Sequence, residues 1–162
     1  MMKATDQHSS LWRRFESACL HPQLFEDRLV LVRARLMLYT AFVSGLVAIP
    51  VMSYAFAVRT EMTQANLVLS VGHLVYVSTF FLLRLFPTLM VPVTVMVVVS
   101  VVQLINSALW SGGLDSTALY AYPVAPVFFG LLGRTVHGVM GGLALCLGLV
   151  LFYVMEEQGY PF

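Results

Sequence analysis

The sequence predicts an all-α protein: a polytopic bundle of about five transmembrane helices, preceded by an amphipathic helix lying in the membrane interface. Three observations carry that expectation. The 162 residues are 59% hydrophobic and only 10% charged, where soluble domains run near ~45–50% and ~25%. The mean hydropathy is +0.85. The apolar residues fall in long continuous runs joined by short polar connections, and ~20 such residues cross the ~30 Å hydrocarbon core.

This balance excludes a water-soluble globular fold, which could not bury so much apolar surface. It also excludes a disordered chain, which needs low hydrophobicity and high charge. A formal charge of +1 without a dense basic stripe argues against nucleic acid as a partner. The lipid bilayer is the expected partner.

Residues 1–28 form an N-terminal segment and residues 29–162 the bundle. Within the first, residues 10–20 read as a short amphipathic helix. Leu11, Trp12, Phe15, Ala18 and Cys19 share a face opposite Arg13, Arg14 and Glu16. Ser10 is a fitting N-cap, and His21-Pro22 ends the helix. A Trp face against an Arg face suits a helix in the interface plane. No cleavable signal peptide is expected, because no short apolar core precedes the first long run.

Five runs follow, at about 36–58, 66–83, 88–110, 118–133 and 136–155. The first comes after Arg28, Arg33 and Arg35. The third is rich in valine, which raises strands as a rival. Barrel strands alternate over ~10 residues, whereas these runs are continuously apolar and longer. Lipid enforces helices by demanding that every backbone group be satisfied within its segment. The fourth run is short and carries Pro123 and Pro126. Connections this tight make sequential spans antiparallel neighbours. Cys19 and Cys146 give no disulfide framework and read as free thiols.

Basic residues set the expected orientation. Lys3, Arg13, Arg14, Arg28, Arg33, Arg35, Arg84 and Arg134 fall on one side, and only Arg59 on the other. The N-terminus is therefore expected in the cytoplasm, with the C-terminus outside. The ending at Glu156–Phe162 reads as a place where a sixth span could begin.

Chemistry-bearing motifs are scarce. There is no phosphate-cradling loop, HExxH or CxxC, and no catalytic set, metal site or cofactor is expected. His73 and His137 sit at different depths, so they are not placed to clamp one haem iron. Polar residues do recur at matching depth in the outer half: His73, Gln103 and Asn106, with Tyr120 and Tyr122 at the mouth and Asp115 in the loop above. Such side chains are costly in lipid and turn toward one another. Either they only hold helices together, or they line a ligand pocket. Gly112-Gly113 permits a tight turn, and Pro123 and Pro126 interrupt the short fourth span, which makes either a plain kink or a hinge or ligand-lining broken helix. Gly138-x-x-x-Gly142 and Ala144-x-x-x-Gly148 let helices approach closely, within the bundle first and in a homodimer second.

The string Ser111-Gly112-Gly113-Leu114-Asp115-Ser116, followed by Pro123, Pro126, Gly130 and Gly133-Arg134, resembles the six-span N-terminal membrane domains of bacterial sensor histidine kinases and class III adenylate cyclases. Arg33-x-Arg35 and Leu82-Leu83-Arg84-Leu85 are similar too. The resemblance covers about residues 28–160 and lacks the last span and the effector, so it implies a truncated product, an isolated domain or a partner subunit. It implies a non-enzymatic input module that senses a small apolar or amphipathic signal in the outer half and relays it to a cytoplasmic effector. A transporter or channel-like subunit is the alternative, although no charged residue lies deep in any span to carry ion coupling.

Overall fold

A computed structural model describes residues 4–58 and 64–160, and every regular element among them is helical. The helices are α1 (Ala4–Cys19), α2 (Arg28–Val58), α3 (Gln64–Leu85), α4 (Met90–Trp110), α5 (Ala125–Leu132) and α6 (Thr135–Glu157). Short 3-10 turns cover Pro22–Phe25, Gly113–Asp115 and Thr117–Ala121. Four stretches are long and apolar enough to cross a membrane: Arg28–Val47, Leu67–Leu85, Met90–Trp110 and Thr135–Glu157. The chain is a multi-pass membrane protein by that measure. Lys3, Arg59, Glu61 and Phe162 lie outside the described residues.

Side-chain pairs fix the register. Phe15 takes an aromatic edge contact with both Phe42 and Phe80, and Gly45 faces Val77, so α2 and α3 are antiparallel. Tyr76 bonds Ser100 and His73 meets Gln103, so α3 and α4 are antiparallel. Val93 sits at Gly133, Val97 at Gly141 and Ile105 at Gly148. Both numbers rise together, so α4 and α6 run parallel. The stretch between them must therefore carry the chain back along the bundle.

That return is the stretch 118–133, and here the sequence expectation is corrected. It is not one short kinked helix but a 3-10 turn over Thr117–Ala121, a turn at 122–124, and the eight-residue α5. At 1.5 Å per residue α5 is ~12 Å long. The prolines do not kink a helix: Pro123 lies in the turn before α5 and Pro126 begins it. Pro126 stands in the first turn of α5, where a missing N–H removes nothing the helix would use. Val124 N–H donates to Ala121 O and Phe128 N–H to Val124 O across the junction. Irregular backbone at this depth is tolerated because α4 and α6 cover it.

α2 differs as well. It runs unbroken for 31 residues, ~46 Å, starting well before position 36. Asp27 starts it: its Oδ1 accepts from Leu29 N–H at 2.7 Å and Val30 N–H at 3.3 Å, which satisfies the first turn. Given the α2–α3 register, about ten residues (~15 Å) of α2 overhang the end of α3. The connections α3–α4 and α5–α6 lie at the same end. Every arginine among the described residues belongs to this end, called the basic end below.

α1 begins at Ala4, earlier than the expected residue 10. It docks onto α2 and α3 instead of only resting beside them. Glu16, expected on the polar face, is 3% exposed. One of its oxygens accepts from Arg35 Nη2 at 2.8 Å and the other from Tyr39 O–H at 3.0 Å. Tyr39 in turn accepts from Trp12 Nε1–H at 2.9 Å. Arg84 donates to Leu20 O at 2.9 Å and Ser17 O at 3.2 Å, closing the C-terminal end of α1 with a cation. His21 N–H donates to Leu83 O at 2.9 Å. Leu20 and Leu24 are fully buried in the bundle core.

Cys19 is half-buried within this dock. Burial pushes its thiol above the ordinary range, and the nearby Arg84 cation opposes that only in part. A raised value keeps the neutral thiol favoured as pH climbs. In a Cys146→Ser background, iodoacetamide alkylation of the folded protein is expected to rise at higher pH than alkylation in denaturing detergent. Coincident pH profiles would show that the dock does not shield the thiol.

Candidate functional site

The sequence-predicted polar cluster forms in part. His73 and Gln103 come together between α3 and α4. His73 Nδ1 lies 2.9 Å from the carbonyl of Leu69, one turn earlier. Nδ1 is approached both by an acceptor, Leu69 O, and by a donor, the Gln103 amide. Gln103 Nε2 packs 3.1 Å from the same ring nitrogen and 3.4 Å from Leu69 O. His73 Nε2 makes no hydrogen bond among the described residues.

Gly72 makes this arrangement possible. A Cβ built there would collide with the amide of Gln103, so the missing side chain is the slot that Gln103 fills. One turn further along, Tyr76 O–H and the Ser100 hydroxyl form a second polar link between the same two helices. Ser100 also donates to Met96 O at 2.7 Å. The sequence reading missed Gly72, Tyr76 and Ser100. Tyr76 was visible in principle, three residues from His73 and so on the same helix face.

Apolar grooves flank the pair. On the α2 side a groove of ≈310 Å³ is lined by Phe42, Gly45, Leu46, Ile49, His73, Leu74, Val77 and Phe80. On the α4 side a groove of ≈280 Å³ is walled mainly by valines, with Gln103 at its base. His73 is the polar group of the first groove.

The remaining candidates lie elsewhere. Asp115 is exposed, and Tyr120 is 83% exposed. Tyr122 is 5% exposed, and among the described residues its hydroxyl has no hydrogen-bond partner. It packs toward Gly148. The Asn106 amide nitrogen is buried and also without a partner among the described residues. No described hydrogen bond joins either of them to His73 or Gln103. Gly112 and Gly113 take positive φ, 116° and 59°, the backbone that their loop requires. The loop is closed by a contact between the Ser111 and Ser116 hydroxyls.

The small residues of α6 serve internal packing. Gly138 lies against the backbone of Pro126 and Gly130, and Gly142 against the Pro126 ring. Gly141 faces the Phe129 ring and Gly148 faces Ile105. His137, at the other end of α6, is 7% exposed. Its Nδ1 accepts from Arg134 N–H at 3.2 Å, so Nε2 carries the proton and faces Thr94 Oγ1 at 3.4 Å. Among the described residues, no three His, Cys, Asp or Glu side chains converge on a point that suits a metal ion.

No protein-family model, curated protein or solved structure matches this chain.

Proposed function

We propose that the chain is a membrane-embedded input module that binds a small amphipathic molecule in the groove between α2 and α3. The observation that carries this reading is His73, which lines an otherwise apolar groove and whose Nε2 has no hydrogen-bond partner among the described residues. A hydroxyl-bearing ligand gains a hydrogen bond there that lipid tails cannot make, and its alkyl body covers Phe42, Leu46 and Leu74. Gln103 steadies the ring. In this reading the membrane is a bacterial inner one and the basic end faces the cytoplasm, the side the arginine distribution favours. The response is a population shift in how α5 beds on the glycine face of α6, relayed to a cytoplasmic effector of kinase or cyclase type.

The test is photolabelling in lipid nanodiscs with a diazirine-bearing ten-carbon alcohol. Labelling is expected to concentrate on peptides of the α2–α3 groove. His73→Leu should lower it about fivefold, the worth of one hydrogen bond of ~1 kcal/mol. Equal labelling of the α3–α4 groove, with no effect of His73→Leu, would reduce the signal to ordinary partition into lipid and end the proposal.

A further inference from the structure

We infer a second binding site, at the basic end, for a phospholipid whose head carries both a phosphate and a primary ammonium group. A cavity of ≈470 Å³ opens there between the α2 overhang, the α3–α4 connection and the α5–α6 turn. That volume falls in the ~300–1,000 Å³ range of ligand pockets. Its two halves differ chemically. The floor is apolar, with Val93 and Leu132 buried and Met90 continuing outward at 55% exposure. The rim carries Arg33, Arg134, Glu26 and Asp27.

Rim charge identifies the occupant. Among the described residues the one ion pair is Glu16–Arg35, so Arg33, Arg134 and Glu26 each face the cavity without an ionic partner. Asp27 is engaged in starting α2, yet it still adds negative charge. Two guanidinium and two carboxylate groups balance, so the rim is neutral as a whole and polarised within. A purely anionic head would meet the arginines but also Glu26 and Asp27. A head with phosphate and ammonium satisfies both signs. Guanidinium pairs well with phosphate oxygens, and a primary ammonium has N–H groups to donate to Glu26. A quaternary choline head has none.

The lipid source follows from position. The rim runs from the α3–α4 connection out along the overhang of α2, past the end of α3, as expected of a headgroup layer beside a ~30 Å core. A water-soluble phosphate compound would leave the apolar floor and the exposed Met90 unused. Basic pockets between helices at a membrane face are known to hold lipid heads. This site is independent of the His73 groove.

Titration of the full chain in detergent micelles with dioleoyl lipids, read by native mass spectrometry, tests the inference. One phosphatidylethanolamine per chain should be retained about tenfold more tightly than phosphatidylcholine or phosphatidylglycerol, as expected for a charge-assisted hydrogen bond. Arg134→Gln should weaken retention of all three. Glu26→Gln should equalise ethanolamine and choline lipids while leaving the helical content unchanged. His73→Leu should leave the ranking intact, which separates this site from the first. Phosphatidylglycerol binding as well as or better than the ethanolamine lipid would overturn the inference. So would equal retention of all three lipids by the unaltered chain, or full displacement by soluble glycerophosphoethanolamine, which lacks acyl chains.

Discussion

Gly138→Ala is expected to destabilise the bundle by about 1–2 kcal/mol, although alanine is the better helix former. A Cβ on Gly138 would stand 2.7 Å from Pro126 O and 3.3 Å from the Gly130 Cα and N. All three atoms are backbone, so no side chain can swing aside and α5 must move as a body. Overpacking of this kind costs ~1–3 kcal/mol, against the ~1 kcal/mol that alanine gains over glycine in a helix interior. Gly142→Ala provides the contrast. Its Cβ would meet only the Pro126 ring, at 3.3 and 3.4 Å, a contact that a small ring adjustment relieves. That variant should be neutral or slightly stabilising. Unfolding by graded addition of a denaturing detergent, followed by circular dichroism, reads both. A Gly138→Ala protein as stable as the parent would show that α5 does not bed on α6 through this glycine.

The effect is large because of where α5 sits. It is the only helix in the return path between the parallel α4 and α6, and it is only eight residues long. A helix this short has little intrinsic stability in isolation. Its place is held by the surface it meets, and that surface is made of Gly138, Gly141 and Gly142. Any ligand response relayed through α5 depends on the same contact.

What could be read from the sequence divides along physical lines. Continuous apolar runs over 66–83, 88–110 and 136–155 reappear as α3, α4 and α6, because lipid allows such runs few structures other than helix. Over 118–133 the broken helix fits the structure and the plain kink does not, and the choice between them was open because hydropathy reports burial and not hydrogen bonding. Pro123 and Pro126 were visible, but their role depends on neighbours that supply cover. His73 and Gln103 were paired correctly by depth along antiparallel helices. Asn106 and Tyr122 matched in depth too, and no described hydrogen bond joins them to that pair. Depth fixes height in the bundle and leaves rotation about the axis open. Glu16 was placed on the wrong face because a charge is assigned outward by default. Its partner Arg35, 19 residues away, is not a neighbour that helical periodicity can reveal.

That buried carboxylate sets the second large effect. Arg35→Leu is expected to release α1 from the bundle and cost about 2 kcal/mol. Removing one partner of a buried ion pair costs ~3–5 kcal/mol because the other charge stays behind unpaired. Here the figure is lowered, since the Arg35 side chain is 39% exposed while that of Glu16 is only 4% exposed. Water reaches one member and hardly the other. Glu16→Gln should cost less, near ~1 kcal/mol, because a neutral amide oxygen still accepts from Tyr39 or Arg35. The double variant Glu16→Met/Arg35→Met should recover much of the loss, as apolar replacement of both partners often does. It would also remove Arg35 Nε, which is buried without a partner. Trypsin supplies the readout. Arg13 and Arg14 lie on α1, and cleavage after them needs local unfolding of a helix now held by Glu16 in its last turn and Arg84 at its C-terminal end. Cleavage should be fast in Arg35→Leu, intermediate in Glu16→Gln and slow in the double variant. If Arg35→Leu resists trypsin as well as the parent, α1 is held by Leu20, Leu24 and the Arg84 cap alone, and the buried carboxylate contributes nothing to the dock.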